Sequence, residues 1–215
     1  MGARPRVVVI GAGGHGRVMV DVLRCQDEVE VLGFLDDAED LQGTMTPAGV
    51  RVIGRTAPED LATYGADHFL VAIGSNRIRA MLFDRCLEAG LTPWVGVHPS
   101  AVIAQSAGLG GGTQVVAQVV VNPDARVGRD VILNTACTVD HDCVIGDHAF
   151  IAPGAHLGGE VTIGERAFIG IGASVLPGLT IGAGSTIGGG AVVIADIEPG
   201  TVAVGVPARV IRRLE

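Results

Sequence analysis

Aromatic residues are nearly missing from this chain: five Phe, one Tyr and one Trp among 215 residues, 3% of the total. A core with so few large rings has to be narrow and filled by small and β-branched side chains. Missing too is any apolar run near the ~18 residues that cross a bilayer, so no membrane span is expected although 48% of the residues are hydrophobic. The start, Met1 to Arg6, leads straight into a strand-like run without the apolar stretch of a secretory leader, and a cytoplasmic protein is the simplest expectation. Positive charge is in deficit. A formal net charge of −8 excludes a nucleic-acid surface, and the one locally basic stretch, Arg209, Arg212 and Arg213, reads as a solvated terminus. Cysteine is scarce and poorly spaced for zinc. Cys25 and Cys86 fall in helix-like stretches, Cys137 and Cys143 at small inward positions, and all four read as core residues; no metal is expected.

What the chain has instead is a period of six. Sixteen aliphatic residues stand at unbroken six-residue intervals from Ile103, Leu109, Val115 and Val121 through Val139 and Ile163 to Ile187 and Val193. Two residues before most of them is a small side chain, such as Ala125, Cys137, Cys143, Ala155 or Ser185, and glycine often follows, as at Gly128, Gly146 and Gly164. An α-helix repeats every 3.6 residues and a plain strand every two. A period of six fits a coil of short strands that turns a corner after each hexad, aliphatic side chain inward, permissive residues at the corners. Three hexads close a triangular turn of 18 residues, so about five turns stack between Ser100 and Ile194.

Residues 1–97 have a different texture. Val7–Ile10 reads as a buried strand, followed by Gly11-Ala12-Gly13-Gly14-His15-Gly16 and a helix to about Cys25. Val29–Leu35 reads as a second strand ending at Asp36-Asp37, Arg51–Ile53 as a short one, His68–Ile73 as another, and Arg77–Glu88 as a helix. This is a βαβ pattern, hence a small parallel, Rossmann-like α/β sheet, with residues 98–215 forming the second domain. The glycine loop matches the dinucleotide fingerprint, with Asp36 near the expected distance of ~20 residues. Its backbone N–H groups and helix start suit a phosphate. The domain is too short for a second mononucleotide half, which suggests one nucleotide; a tight turn without a ligand is the plainer alternative.

Of the six histidines, His68 and His98 read as structural and His148 and His156 as solvated. His141 stands two residues after the inward Val139, at a corner, within Asp140-His141-Asp142. One turn of 18 residues onward lies Gly159. The imidazole is therefore expected beneath a residue with no side chain, leaving a gap for a substrate and a backbone N–H for a reacting carbonyl. Acyl transfer needs those two parts: a base within ~3 Å of the attacking group and a donor for the oxyanion. Asp142, or less favourably Asp140, can orient the ring. A merely solvated corner histidine is the alternative at this point.

The hexads resemble those of the hexapeptide-repeat, left-handed parallel β-helix proteins, most of them acyltransferases. The left hand comes from that resemblance, since the general crossover rule predicts a right-handed one. Five runs together resemble the bacterial nucleotide-sugar N-acetyltransferases related to the sialic-acid O-acetyltransferase family. They are Gly11 to Gly16, Gly33-Phe34-Leu35-Asp36-Asp37, Ala72-Ile73-Gly74-Ser75-Asn76, Asp140 to Gly146, and Gly205-Val206-Pro207-Ala208-Arg209. The resemblance implies a homotrimer that takes acetyl-CoA on the β-helix and a nucleotide-linked 4-amino sugar on the α/β domain, in lipopolysaccharide O-antigen biosynthesis. It makes His141 the general base, Asp142 its partner, and Gly159 the N–H donor to the thioester carbonyl, with Gly13, Gly14, His15, Asp36 and Asp37 meeting the nucleotide sugar. One position departs: some relatives carry a second histidine near acetyl-CoA where this chain has Phe150.

The base, GDP or UDP, and the choice between N- and O-acetylation stay open, as does a non-catalytic sugar-nucleotide-binding trimer. A nucleotide-dependent oxidoreductase lacks a proton donor in the hexads. A zinc hydratase on the same coil fails because the positions one turn either side of His141 are Pro123 and Gly159, and no histidine column forms.

Overall fold

The computed structural model describes residues 4–26, 28–57 and 62–214; residues 1–3, part of the start read above for a leader, lie outside them. The chain divides into two compact units, Met1–Pro99 and Ser100–Glu215.

In the first unit, strands β1 (Arg6–Ile10), β2 (Glu30–Leu35), β3 (Val52–Gly54), β4 (His68–Val71) and β5 (Thr92–Pro93) form one parallel sheet in the order β3-β2-β1-β4-β5. Helix α1 (Gly14–Gln26) links β1 to β2, and helix α2 (Asn76–Glu88) follows β4. Val7 to Ile10 are fully buried, as a central parallel strand covered on both faces must be. Val8, Ile10, Leu35, Phe69 and Val71 pack with Leu82, Phe83 and Cys86 of α2 in one core. Ser75 caps α2 by accepting the Ile78 N–H at 3.4 Å. Strand β5 is not foreseen from the residues because it is two residues long and contains a proline. The strand order reverses between β1 and β4, and that switch point is where open parallel sheets bind ligands.

The second unit is a left-handed parallel β-helix. Two-residue strands recur every six residues from Val102–Ile103 to Val192–Val193, and those up to Ser174–Val175 pair in parallel with the strand 18 residues on, as Val121 with Val139 and Val139 with Leu157. The inward pairs fill the coil: Val139, Ile151, Ile169, Ile181 and Ile187 are fully buried, as are Ala125, Cys137, Cys143, Ala155 and Ser185 two residues before a strand's inward aliphatic. The basic tail is ordered as a strand, Arg209–Arg213, antiparallel to Thr201–Val204, though it remains exposed.

The corners separate two roles that the hexad pattern had merged. Every sixth residue from Gly112 to Gly190 has a positive φ. Eight of these are not glycine, among them Asp124, Ala136, Asp142 and Glu160, with φ of 53–62°. Such a conformation costs an L-residue about 1–2 kcal/mol. It is offset because the same residue's N–H reaches the preceding turn: Ala136 donates to Ala117 O at 2.9 Å, Asp142 to Pro123 O at 3.1 Å and Glu160 to His141 O at 2.9 Å. The glycines that follow the aliphatic residue serve close approach instead. A Cβ at Gly146 would stand 2.6 Å from Glu165 N and 2.9 Å from Gly164 C, both backbone atoms of the next turn.

Two sequence expectations are corrected. Cys25 is exposed, not a core residue, because its place on α1 faces away from the sheet. His148 is buried rather than solvated, its Nδ1 2.8 Å from Oδ2 of the fully buried Asp130 one turn back. A pair of alanine substitutions tests the division of labour among the glycines. Gly172 has φ +65° and open space where a methyl group would stand, so Gly172→Ala is expected to cost about 1–2 kcal/mol. Gly146→Ala forces backbone apart and is expected to cost about 3 kcal/mol; urea-unfolding midpoints of the two variants should fall in that order.

Candidate active site

His141 projects from a coil corner with its side chain about half exposed. Its Nδ1 lies 2.8 Å from Asp142 Oδ2. The left-handed φ of 58° at Asp142 turns that carboxylate back toward the ring. Asp140 serves the backbone instead, its Oδ1 accepting the His141 backbone N–H at 2.8 Å and the Asn122 amide at 2.7 Å. One carboxylate thus fixes the main chain of the histidine and the other its ring. With Nδ1–H donated to Asp142, the neutral ring keeps its lone pair on Nε2, the tautomer a general base requires.

Gly159 stands one turn on. A Cβ there would come within 2.6 Å of His141 Nε2 and Cε1. This corrects the expected gap: the imidazole itself occupies the space that a Cβ at 159 would need, so a side chain there would displace the ring. The Gly159 carbonyl accepts from Gly178 N at 2.9 Å, and among the described residues no acceptor faces its N–H. The half-exposed imidazole therefore lies against Gly159, a buried residue one turn on, at a corner of the coil.

The charges around the ring favour its protonated form. The hydrogen bond to Asp142 lifts the His141 pKa above the ordinary imidazole value, partial desolvation opposes it, and the negative charges of Asp140, Asp142 and Glu160 add to the rise. Asp140 is held below the usual carboxylate range by its bonds to the His141 N–H and Asn122. Cys143, two residues from His141, faces the interior: it is fully buried, its thiol donates to Gly158 O at 3.1 Å, and burial raises its pKa. It is no poised nucleophile. Phe150 is buried against Phe168, ring centroids 5.1 Å apart, beside Ile132; an apolar patch stands at that position.

The first unit supplies a separate cavity of about 140 Å³ at the carboxyl end of its sheet, lined by Gly11, Asp36, Asp37 and Thr56 with apolar residues of β2 and α2. The two carboxylates already have partners. Asp36 Oδ2 accepts the Ala12 N–H at 2.9 Å and Oδ1 the Ala38 N–H at 3.0 Å. Asp37 accepts Thr56 N–H at 2.9 Å and its hydroxyl at 2.7 Å. Burial opposes ionisation of Asp37, but those two bonds and Arg55 win and lower its pKa. Asp36 thus ties the glycine loop to the end of β2. Gly11 needs its φ of +99°, and a Cβ at Gly16 would collide with the Gly11 carbonyl. Gly13 and Gly14 are exposed at the start of α1 with open space around them, and His15 is half-buried in its first turn; these three do not line the cavity.

The geometry at the corner predicts a titration. In ¹H–¹⁵N spectra His141 should protonate at a pH above 6.5, the ordinary value. Asp142→Asn should bring that midpoint down, since the hydrogen bond that favours the cation is weakened.

Comparison with known proteins bears on both units. Residues 6–86 match the PglD N-terminal domain, and residues 124–159 and 160–195 each match the bacterial transferase hexapeptide (six repeats) family. The chain is 39% identical to PerB from Caulobacter crescentus, solved with CoA and GDP-perosamine, with a TM-score of 0.90 over 98% of this chain and 99% of that one. It is 38% identical to the acetyltransferase domain of PglB from Neisseria gonorrhoeae, solved with acetyl coenzyme A, over 97% and 100% of the chains with a TM-score of 0.87. A UDP-N-acetylbacillosamine N-acetyltransferase of Bacillus subtilis is 35% identical over 118 residues, a match that spans about half of each chain, 52% and 51%. The likeness to PerB and PglB covers nearly the whole chain at 38–39% identity, and the chain belongs to the hexapeptide-repeat nucleotide-sugar N-acetyltransferases that carry a PglD-type N-terminal domain.

Proposed function

We propose that this enzyme transfers the acetyl group of acetyl-CoA to the 4-amino group of a GDP-linked amino sugar of the perosamine type. The observation that carries the reading is the corner itself: Nδ1 of His141 held by Asp142, with Nε2 directed at Gly159. The uncharged sugar amine attacks the thioester carbonyl carbon, forming a C–N bond. As that bond forms the nitrogen becomes acidic, and Nε2 takes its proton. The Gly159 N–H holds the developing oxyanion. Collapse breaks the C–S bond, and coenzyme A departs as thiolate, to be protonated by the imidazolium or by water. Transfer is direct, in a ternary complex, because the Cys143 thiol is buried and turned away.

The GDP sugar is favoured because the relative solved with GDP-perosamine matches this chain almost end to end, whereas the match to the UDP-sugar enzyme spans half of it. Structures of the H141A and H141N mutants of the Caulobacter enzyme also hold CoA and GDP-perosamine, in keeping with a residue that serves chemistry rather than binding. The sugar's nucleotide occupies the cavity beside Gly11, Asp36 and Asp37, with the helix start at Gly13, Gly14 and His15 facing its phosphates. The working form is a homotrimer, as in hexapeptide-repeat proteins, and its place is the cytoplasm, where acetyl-CoA is made; no helix among the described residues is long and apolar enough to cross a membrane.

Steady-state kinetics with GDP- and UDP-linked 4-amino sugars test the reading. His141→Asn should lower kcat by about 10²–10⁴-fold with both KM values nearly unchanged, and kcat/KM of the parent enzyme should rise with pH through the raised His141 pKa. Near-normal turnover of His141→Asn would place the base elsewhere; preference for the UDP sugar would overturn the substrate assignment alone. Asp36→Ala releases the glycine loop from β2, so it should raise KM for the nucleotide sugar and leave that for acetyl-CoA unchanged.

A further inference from the structure

Cys25 is the cysteine that the fold leaves outside its cores, and it does not stand alone. Asp21 and Cys25 are four residues apart on α1, hence on one face of the helix. His98 joins them from 73 residues further along the chain. One ligand atom of each, a carboxylate oxygen, the Sγ and an imidazole nitrogen, lies within 4.8 Å of the other two. The short strand Gly96–Val97 brings His98 there, and its packing on α1 is close: a Cβ at Gly96 would stand 2.8 Å from Met19 Cε and 3.8 Å from Leu23 Cδ2. A side chain at 96 would have to displace the methyl end of Met19. The third ligand is thus delivered by a packed segment to the helix face that carries the other two.

We propose that Asp21, Cys25 and His98 form a binding site for a divalent late transition ion, zinc foremost. The donor set is the argument. Thiolate and imidazole select zinc over magnesium or calcium, which take oxygen ligands. Three protein ligands with a water in the fourth position make a familiar tetrahedral zinc shell. Zinc–sulfur bonds of about 2.3 Å and zinc–nitrogen or –oxygen bonds of about 2.0–2.2 Å put two ligands of one tetrahedron roughly 3.3–3.7 Å apart. The observed spacing needs a contraction of about 1.5 Å at most, within reach of rotamer adjustment, because Asp21 and Cys25 are exposed and His98 half-buried. Binding replaces the thiol proton with the ion, so affinity rises with pH. The ion would pin the C-terminal half of α1 to the segment that ends the first unit, a clip separate from the reacting groups at His141 and independent of the acetyl-transfer reading.

The test uses the full chain, reduced with a non-chelating phosphine and stripped with a chelator, with cobalt(II) and zinc(II) as the probes. Cobalt(II) should add one equivalent per chain, with a near-ultraviolet thiolate-to-metal charge-transfer band, and one equivalent of zinc(II) should displace it. Cys25→Ser should abolish the band, and His98→Gln should weaken cobalt binding at least tenfold. Circular dichroism of each variant matching the parent shows that the fold is kept, as expected for the exposed Cys25; Asp21→Asn, also exposed, gives a second reading through weakened binding with the band retained. Absence of the band in the parent chain, its survival in Cys25→Ser, or binding that never saturates at one equivalent would overturn the proposal.

Discussion

Everything in the second unit depends on how closely one turn of backbone lies on the next. Parallel strands 18 residues apart hydrogen-bond in register, and from Asp130 on each left-handed corner residue donates its N–H to a carbonyl of the preceding turn, while Gln118 and Asp124 donate to the hydroxyls of Ser100 and Ser106. The strain at those corners would be hard to sustain in an isolated loop. Here each unfavourable φ is tied to a hydrogen bond that only the stack can supply, so the conformation and the stacking stabilise one another. The same closeness admits only glycine at points such as Gly146 and Gly159.

The corner proposed for catalysis is one rung of that ladder put to use. Asp142 is a left-handed corner residue like Asp124 and Glu160 one turn either side, and it is the corner conformation that brings its carboxylate to Nδ1. Gly159 is small for the reason other glycines of the coil are small, except that an imidazole rather than backbone claims the space. The site is therefore made from two features the fold already requires, and what is particular to it is a histidine with an asparagine-anchored aspartate, Asn122 to Asp140, holding its main chain.

Much of this was legible in the residues. An aliphatic phase that never slips leaves one way to arrange the coil, and it named His141, Asp142 and Gly159 as neighbours by counting eighteen. The α/β elements were legible from buried strand runs and glycine turns. Counting fails where the outcome rests on side-chain direction. Asp36 and Asp37 do line the cavity at the end of β2, but spacing does not reveal that their carboxylates also hold the loops around it. The burial of His148 depends on Asp130 one turn away, and the convergence of Asp21, Cys25 and His98 depends on a strand crossing a helix far along the chain. The expected gap above His141 failed for a simpler reason: a missing side chain was taken as empty space, and the ring fills it.

The in-register ladder also bears on how such a chain can change length. Each turn contacts chiefly its neighbours, so adding or deleting a whole turn of eighteen residues away from the His141 corner leaves His141 beneath Gly159. A shift of one residue between them would turn every inward side chain of the intervening hexads out of phase. Gene rearrangements are thereby sorted by size: duplications of one coil are structurally silent at the site, and single-codon insertions between the two residues are not. Length in this half of the molecule is quantised, and the ancestry of related coils should be written in multiples of eighteen.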